Sequence, residues 1–510
     1  MAYIMYRNKR YNTGKMTLSV YGILDVSPNV TGDTIRGLPD ITKFAIPNGV
    51  TTINSSAFES NSTLLEVTIP NSVTTIGGGA FRSCTGLTGV SMPSSLTRLS
   101  GGAFHGCRSL TSIVIPDGVT IIEYATFAGC SSLTSVTIPN SVTTIGGNAF
   151  YGCGFTSIVI PDNVTTIQSN AFNSCHNLAD ITIPNSVTTI EDGAFIGCRS
   201  LTSIVIPDGV TTIETNTFYG CTSLTSITIP DSVTSIGDRA FYNCGSLTSI
   251  VIPDSVTSIR DEAFLYCTGL TSVNIPNSVT SIGVGAFADC TALTSVSIPS
   301  SVTTIAIRAF ENCTSLTDIT ISEGPIDIGH DAFQGCTSLT SVNIPNSVTA
   351  IRYNAFQNCT ALTSVSIPSR VSFIGDKAFQ NCAALTDITI SDGVTSIGNN
   401  AFENCTSLTS VTIPNSVTTI GHTAFQNCTA LTSATISNRM TSIRLEVFRD
   451  CTSLTSVTIP NSVTTIEDGA FYGCSALTDV YYSGTQSEWE SITIGSNNSY
   501  LTNATIHYNS

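Results

Sequence analysis

The sequence predicts a parallel β-solenoid, a chain wound into stacked coils, and three observations predict it. Residues 41–476 divide into eighteen units of 23 residues and one of 22, all close copies of L-T-S-V-T-I-P-N-S-V-T-T-I-G-x-x-A-F-x-x-C-x-x. Within each unit, apolar residues alternate with Ser and Thr at period two ahead of a proline, the pattern of a short half-buried strand. Charged residues are 11% of the 510 and hydrophobic residues 41%, a balance foreign to disordered chains. Units of this size fold by stacking on their neighbours, so about 19 repeats mean one repeat array rather than several ordinary domains.

Residues 133–154 show how one unit runs. Leu133, Val136 and Ile138 alternate with Ser135 and Thr137 in a strand that Pro139 ends, because proline has no N–H for a ladder. Asn140 and Ser141 supply turn chemistry. Residues 142–145 then read as a second extended segment with Val142 and Ile145 inward. Ala149, Phe150 and Cys153 fall on one side of a single helical or 3₁₀ turn. Eight side chains per unit therefore face inward, and nineteen coils at roughly 4.8 Å each would stretch about 90 Å. This unit is the short one: a single residue, Gly154, separates Cys153 from Phe155.

Three segments follow: an N-terminal segment and cap (1–40), the array (41–476) and a C-terminal cap (477–510). In the first, Arg7, Lys9, Arg10 and Lys15 precede an apolar stretch over residues 16–24. Ser19, Gly22 and Asp25 interrupt or close it and no small-x-small site follows, so a hairpin turning near Asn8 and Lys9, flanked by Tyr3, Tyr6 and Tyr11, is expected instead of a cleavable leader. At the other end a bare last coil would expose an apolar face and an open strand edge. The tail, which starts as one more strand and holds the sole tryptophan, Trp489, is expected to cover it.

All 18 cysteines, from Cys84 to Cys474, share one position of the unit, and Asn61 holds it in the first copy. Stacked coils would keep their Cβ atoms about 4.8 Å apart, beyond the roughly 3.8 Å of a disulfide. They are expected to be buried free thiols acting as small hydrophobes, with no disulfides. A line of thiols also lacks the four convergent ligands that zinc requires. Asn61 would pair with loop backbone where the stack begins.

The spacing C-x-x-L-x-x-V-x-I-P followed by V-T-x-I-x-x-x-A-F-x-x-C resembles the BspA-type leucine-rich repeat of large bacterial and protist surface proteins, and the tail Y-Y-S-G-T-Q-S-E-W-E-S-I-T-I-G resembles the end module of such arrays. The resemblance covers about nine-tenths of the chain. It implies a leucine-rich-repeat β-solenoid, a curved parallel-strand superhelix with short helical or 3₁₀ turns. It also implies attachment to host or neighbouring-cell proteins without enzymatic activity. Members usually carry an export signal and a surface anchor; neither is legible here, so a cytoplasmic or virion-associated place stays open beside the cell surface.

Nineteen Lys and Arg against 35 Asp and Glu leave a net charge of −16, the wrong sign for nucleic acid or an anionic membrane. No run of 18 apolar residues exists to span a bilayer. His105, His176, His330, His422 and His507 lie on different coils at different places in the unit, so no metal site or triad is expected, nor any cofactor. No phosphate-loop, zinc-helix or nucleophile-elbow motif occurs. Asp208, Asp231 and Asp254 follow the strand proline on three consecutive units, where like charges about 5 Å apart repel by roughly 0.8 kcal/mol even in water. Calcium could relieve that stack. The plainer expectation is a solvated turn residue, because Asn140, Asn185 and Asn277 hold the same slot.

The outward strand positions are mostly Thr and Ser, with exceptions at Lys43, Glu66, Asp180, Asp318, Asp387 and Asp479. Most variation falls in the two residues on either side of Ala-Phe, where Tyr151, Tyr219, Tyr242, Tyr266 and Tyr472 occur. Exposed tyrosines anchor partners; the plain alternative is packing over the apolar turn beneath. The function expected is a non-catalytic interaction or adhesion scaffold binding a protein or glycan by distributed contacts. Two alternatives stand beside it, a structural spacer or virion surface component, and ice or mineral binding by the Thr rows.

Overall fold

The computed structural model describes Ile4–Tyr6, Lys9–Tyr11, Asn29–Val30 and residues 42–510, save Pro47 and Ile326. The chain is a β-solenoid of about 20 turns with few helices, in two compact units, Met1–Leu247 and Thr248–Ser510. In both units a coil has a first strand of three or four residues, such as Ser135–Thr137, and a second of two, such as Thr144–Ile145. Each pairs in parallel with its counterpart one period away: Ser112 with Ser135, and Ser272 with Ser295. Parallel pairing at constant offset keeps inward residues inward along the stack, since a slip of one residue would turn every side chain over.

In the first unit, the hairpin of Ile4–Tyr6 and Lys9–Tyr11 pairs Tyr6 with Lys9, so Lys9 belongs to the second strand, while Tyr3 and Asn8 lie outside the described residues. Asn29–Val30 pairs in parallel with Thr52–Ile53, carrying the 23-residue register one step upstream of Ile41. The short coil is absorbed after Cys153. Thr144 faces Thr166, an offset of 22, and the amide of Gly154 donates to the carbonyl of Leu133 at 3.1 Å. A Cβ at Gly154 would lie 2.2 Å from the Ser131 oxygen, so only glycine closes the gap. Phe155 stands where other coils have Leu, packed edge-on against Phe150 at 5.7 Å.

The core is a set of columns. Phe rings stack face to face from coil to coil, as at Phe195 and Phe218 (5.6 Å) and at Phe402 and Phe425 (5.2 Å), an offset-stacked contact worth about 0.5–1.5 kcal/mol beyond its burial. Beside them run the 18 cysteines, all buried with free thiols. Their Sγ–H groups donate to the carbonyl of the Phe in the preceding coil, as Cys84 does to Phe58 at 3.0 Å and Cys428 to Phe402 at 3.3 Å. The thiol is thus more than a small hydrophobe, for it satisfies a second lone pair on a buried carbonyl. Polar positions repeat for the same reason. The hydroxyls of Thr134 and Thr143 donate to the carbonyls of Thr111 and Thr120, and that of Ser141 to Val119.

The segment predicted as a helical or 3₁₀ turn is built differently. The amides of Ala149, Tyr151 and Cys153 donate three residues back within the coil, while those of Asn148, Phe150 and Gly152 donate to Ser169, Ala171 and Asn173 of the next. A 3₁₀ helix would use every amide locally. Positive φ at Asn148 (54°) and Gly152 (64°) turns alternate peptides outward, and the same two positions recur along the array. Asn accepts this left-handed conformation readily, which is why it is frequent there.

At the end of the second unit, Thr493–Ile494 and Thr505–Tyr508 add one more coil onto Thr465–Ile466 and Asp479–Tyr482. Between them stand the helices Gln486–Glu490, capped by a reciprocal Thr485–Glu488 box, and Ser499–Thr502. Trp489 packs edge-on against the buried Tyr482 at 5.2 Å. Buried Asn498 ties the tail down: its Oδ1 accepts from the Phe471 amide at 3.0 Å, and its Nδ2 donates to the Glu467 carbonyl at 2.9 Å. Asn61 does similar work at the start, its Oδ1 accepting from the Leu64 amide at 3.2 Å.

Candidate ligand-binding surface

The outward columns place most of the sequence-predicted residues apart. Lys43 and Glu66 neighbour each other in the strand register and form an exposed ion pair at 2.7 Å. Asp180, Asp318 and Asp387 stand exposed at the same strand position, beside Ser157, Ser295 and Ser364. Asp479 differs, accepting a 2.7 Å hydrogen bond from His507 of the terminal coil, a contact that lowers its carboxyl below the usual value. Asp208, Asp231 and Asp254 are exposed turn residues. Among the described residues no three His, Cys, Asp or Glu side chains gather as a metal site. The strand face is not purely Ser and Thr, since Val114, Val159 and Val205 stand 63–78% exposed.

The tyrosines divide. Tyr219 and Tyr242 stack on each other at 4.5 Å and are half-buried. Tyr472 lies exposed under the Arg449 guanidinium, 5.3 Å from its ring centre. Tyr266 is exposed with φ of 61°. Tyr151 is exposed on the rim of a groove. The histidines stay separate too: His176 against the Gly197 carbonyl, His330 beside Tyr353, His422 near Glu467, His507 on Asp479.

The groove holding Tyr151 has a volume of about 490 Å³ and lies on the turn face of the first unit. It exists because side chains are missing. Gly78 and Gly79 in one coil and Gly101 and Gly102 in the next leave the floor as bare backbone. Gly101 has to be glycine, for a Cβ there would come within 2.9 Å of the Tyr124 oxygen. Arg82, His105, Tyr124 and Tyr151 form the walls. The Arg82 stem crosses Gly79, with its Cβ 3.7 Å from where a glycine Cβ would be, and Arg82 has no ion-pair partner among the described residues. The Tyr124 ring, 65% exposed, lies over Gly147, where an added Cβ would meet its Cδ2 at 3.4 Å. Nδ1 of His105 is shielded from solvent and lacks a hydrogen-bond partner among the described residues. Burial and then the Arg82 charge hold that imidazole below its ordinary value, so it is a neutral wall at pH 7.

Elsewhere the chemistry is quiet. Desolvation pushes the thiols up, to about 12 for Cys175, Cys221 and Cys474. A protonated buried thiol is neither a nucleophile nor a metal ligand. Tyrosine position and charge do not single out Arg82 or Tyr124, and His105 enters the sequence only as one of five scattered histidines; the signal that could have found the groove is the glycine doublet ahead of Ala-Phe in two successive coils.

A family model described as BspA type leucine rich repeat region matches the chain in six copies, over residues 35–154, 97–215, 143–271, 188–314, 258–386 and 372–502. Among solved structures, a leucine-rich repeat protein from Bacteroides ovatus is 25% identical, covers 91% of this chain and 91% of its own, and superposes with a TM-score of 0.37. A leucine rich cell surface protein from Faecalibacterium prausnitzii is 26% identical over 90% of this chain and 92% of its own, with a TM-score of 0.31. Among curated proteins, none matches. No described helix is long and apolar enough to cross a membrane.

Proposed function

The chain belongs to the BspA-type leucine-rich repeat family, and on that premise we propose that it is a non-catalytic interaction scaffold of a cell surface, binding a protein or glycan of another cell through contacts repeated from coil to coil. The observation that carries this reading is the register. Parallel pairing at a fixed offset sets each outward residue beside its counterpart one coil on, as with Ser433 and Ser456. A partner with repeated determinants can therefore engage many equivalent positions, and linked weak contacts multiply into avidity without any new kind of contact.

Excising whole units tests it. Variants lacking residues 362–384, or 362–407, remove one or two complete periods and leave both ends in place. Beads coated with them should capture fewer cells with each unit removed, and unchanged capture would reject distributed binding. Capture that survives excision but not loss of residues 477–510 would fit the spacer reading instead. The surface location is tested by a membrane-impermeant amine reagent on intact producing cells; a chain labelled only after lysis would sink it.

A further inference from the structure

The turn-face groove differs in charge from the chain around it. Residues 42–154 hold four Lys and Arg against four Asp and Glu, whereas residues 155–510 hold ten against twenty-eight. The net negative charge thus belongs to the later coils, and the groove sits in coils whose charges balance. We infer that it is a binding site for an acidic saccharide, a pyranose ring bearing a carboxylate or sulfate group. Arg82 receives the anion, and the rings of Tyr124 and Tyr151 receive the apolar face of the sugar. This inference rests on the reading of the chain as a binding scaffold and names the ligand for one place on it.

Each wall suits that ligand. A guanidinium presents a planar fork of donors that matches two oxygens of one oxyanion, and Arg82 has no carboxylate partner among the described residues. Tyrosine offers an apolar body with a polar tip at low cost in side-chain entropy, which fits a ring with one C–H face and a rim of hydroxyls. Asn148, also on the wall, adds an amide that both donates and accepts. A space of about 490 Å³ is within the range of small-ligand sites.

An acidic peptide fits less well. Peptides docked in extended form draw on unused backbone groups, and here the amides of three of the four floor glycines are engaged. Those of Gly79, Gly102, Ala125 and Asn148 donate to the carbonyls of Gly101, Tyr124, Gly147 and Ser169, and that of Gly101 donates to Glu123 Oε2 at 2.9 Å. The floor has no free ladder to offer, whereas a sugar needs none.

The test uses the full chain in a direct binding assay against oligogalacturonate, dextran sulfate, neutral dextran and poly-glutamate. The first two separate carboxylate from sulfate, and preference for either over dextran supports the site. Arg82→Gln should lower that binding at least tenfold and Tyr124→Ala severalfold, while Arg370→Gln, an exposed arginine of the second unit, should leave it unchanged. Both arginine variants should keep the parent circular dichroism. No preference over dextran, equal binding of poly-glutamate, or equal loss from the two arginine variants would each overturn the assignment. If the chain captures cells in the excision assay yet shows no such preference, the groove inference fails and the scaffold reading stands.

Discussion

Asn404 occupies the second left-handed position of its coil, with φ of 61°, and sits in the middle of an amide ladder. Its Nδ2 donates to Asn381 Oδ1 at 2.8 Å, and its Oδ1 accepts from Asn427 Nδ2 at 2.9 Å. Replacing it with alanine removes both hydrogen bonds, each worth about 0.5–1.5 kcal/mol net. It also leaves a Cβ at positive φ without asparagine's tolerance for that region, roughly another 1 kcal/mol. The expected loss is about 2–4 kcal/mol. Asn404→Gly loses the ladder but relieves the backbone, so it should cost about 1 kcal/mol less than alanine. Long repeat arrays need not unfold as one cooperative step, so a single melting temperature is a poor readout. Native-state hydrogen exchange reads the coil itself, and the amide of Asn404, bonded to the Gln426 carbonyl at 2.9 Å, is a suitable reporter. Alanine should accelerate its exchange by about 30- to 1000-fold, at 1.4 kcal/mol per decade. Exchange within twofold of the parent would refute the ladder, and glycine more damaging than alanine would refute the strain argument.

Other outcomes follow from the same geometry. Because burial raises the thiols to about 12 at Cys175 and Cys474, a thiol reagent at pH 8 should leave the folded chain unlabelled and react with all 18 cysteines in denaturant; rapid native labelling would contradict the buried column. Asp208, Asp231 and Asp254 as solvated turn residues should give the same thermal midpoint with and without millimolar calcium, and a rise with calcium would revive a cation stack. Asp479 has a folded value below its ordinary 3.8, so what its His507 contact contributes is present above that pH and lost as pH falls through the lowered value. The acid transition of the terminal coil, followed by Trp489 fluorescence, should shift to higher pH in His507→Asn; an unchanged transition would mean that the contact stabilises nothing.

The period, the inward positions and the strand-stopping prolines were legible because each is dictated inside one coil: Val142 and Ile145 face inward whichever neighbours they meet. What escaped depends on relations between coils. That Cys84 donates to Phe58, 26 residues back, or that alternate amides around Phe150 serve different coils, cannot be seen in a single unit. The groove is a sharper case, for it comes from missing side chains at Gly78, Gly79, Gly101 and Gly102, and a search by residue type notices what is present. The same search weighted Tyr219 and Tyr242 equally with Tyr151, although two of the three spend their faces on each other.

The alternation of amides around the Ala-Phe turn also governs how such a gene can change. Every second peptide there is hydrogen-bonded to the neighbouring layer, so losing or gaining one residue would put a whole row of donors opposite the wrong acceptors. The 22-residue coil escapes by giving up its residue beyond that turn, at Gly154, where one atom of side chain would already collide. Duplication or loss of a complete period keeps the backbone register, because the two cut faces are already matched. Copy-number variation by misaligned recombination is therefore silent for the backbone register, and it carries the turn-face side chains along the stack by whole steps.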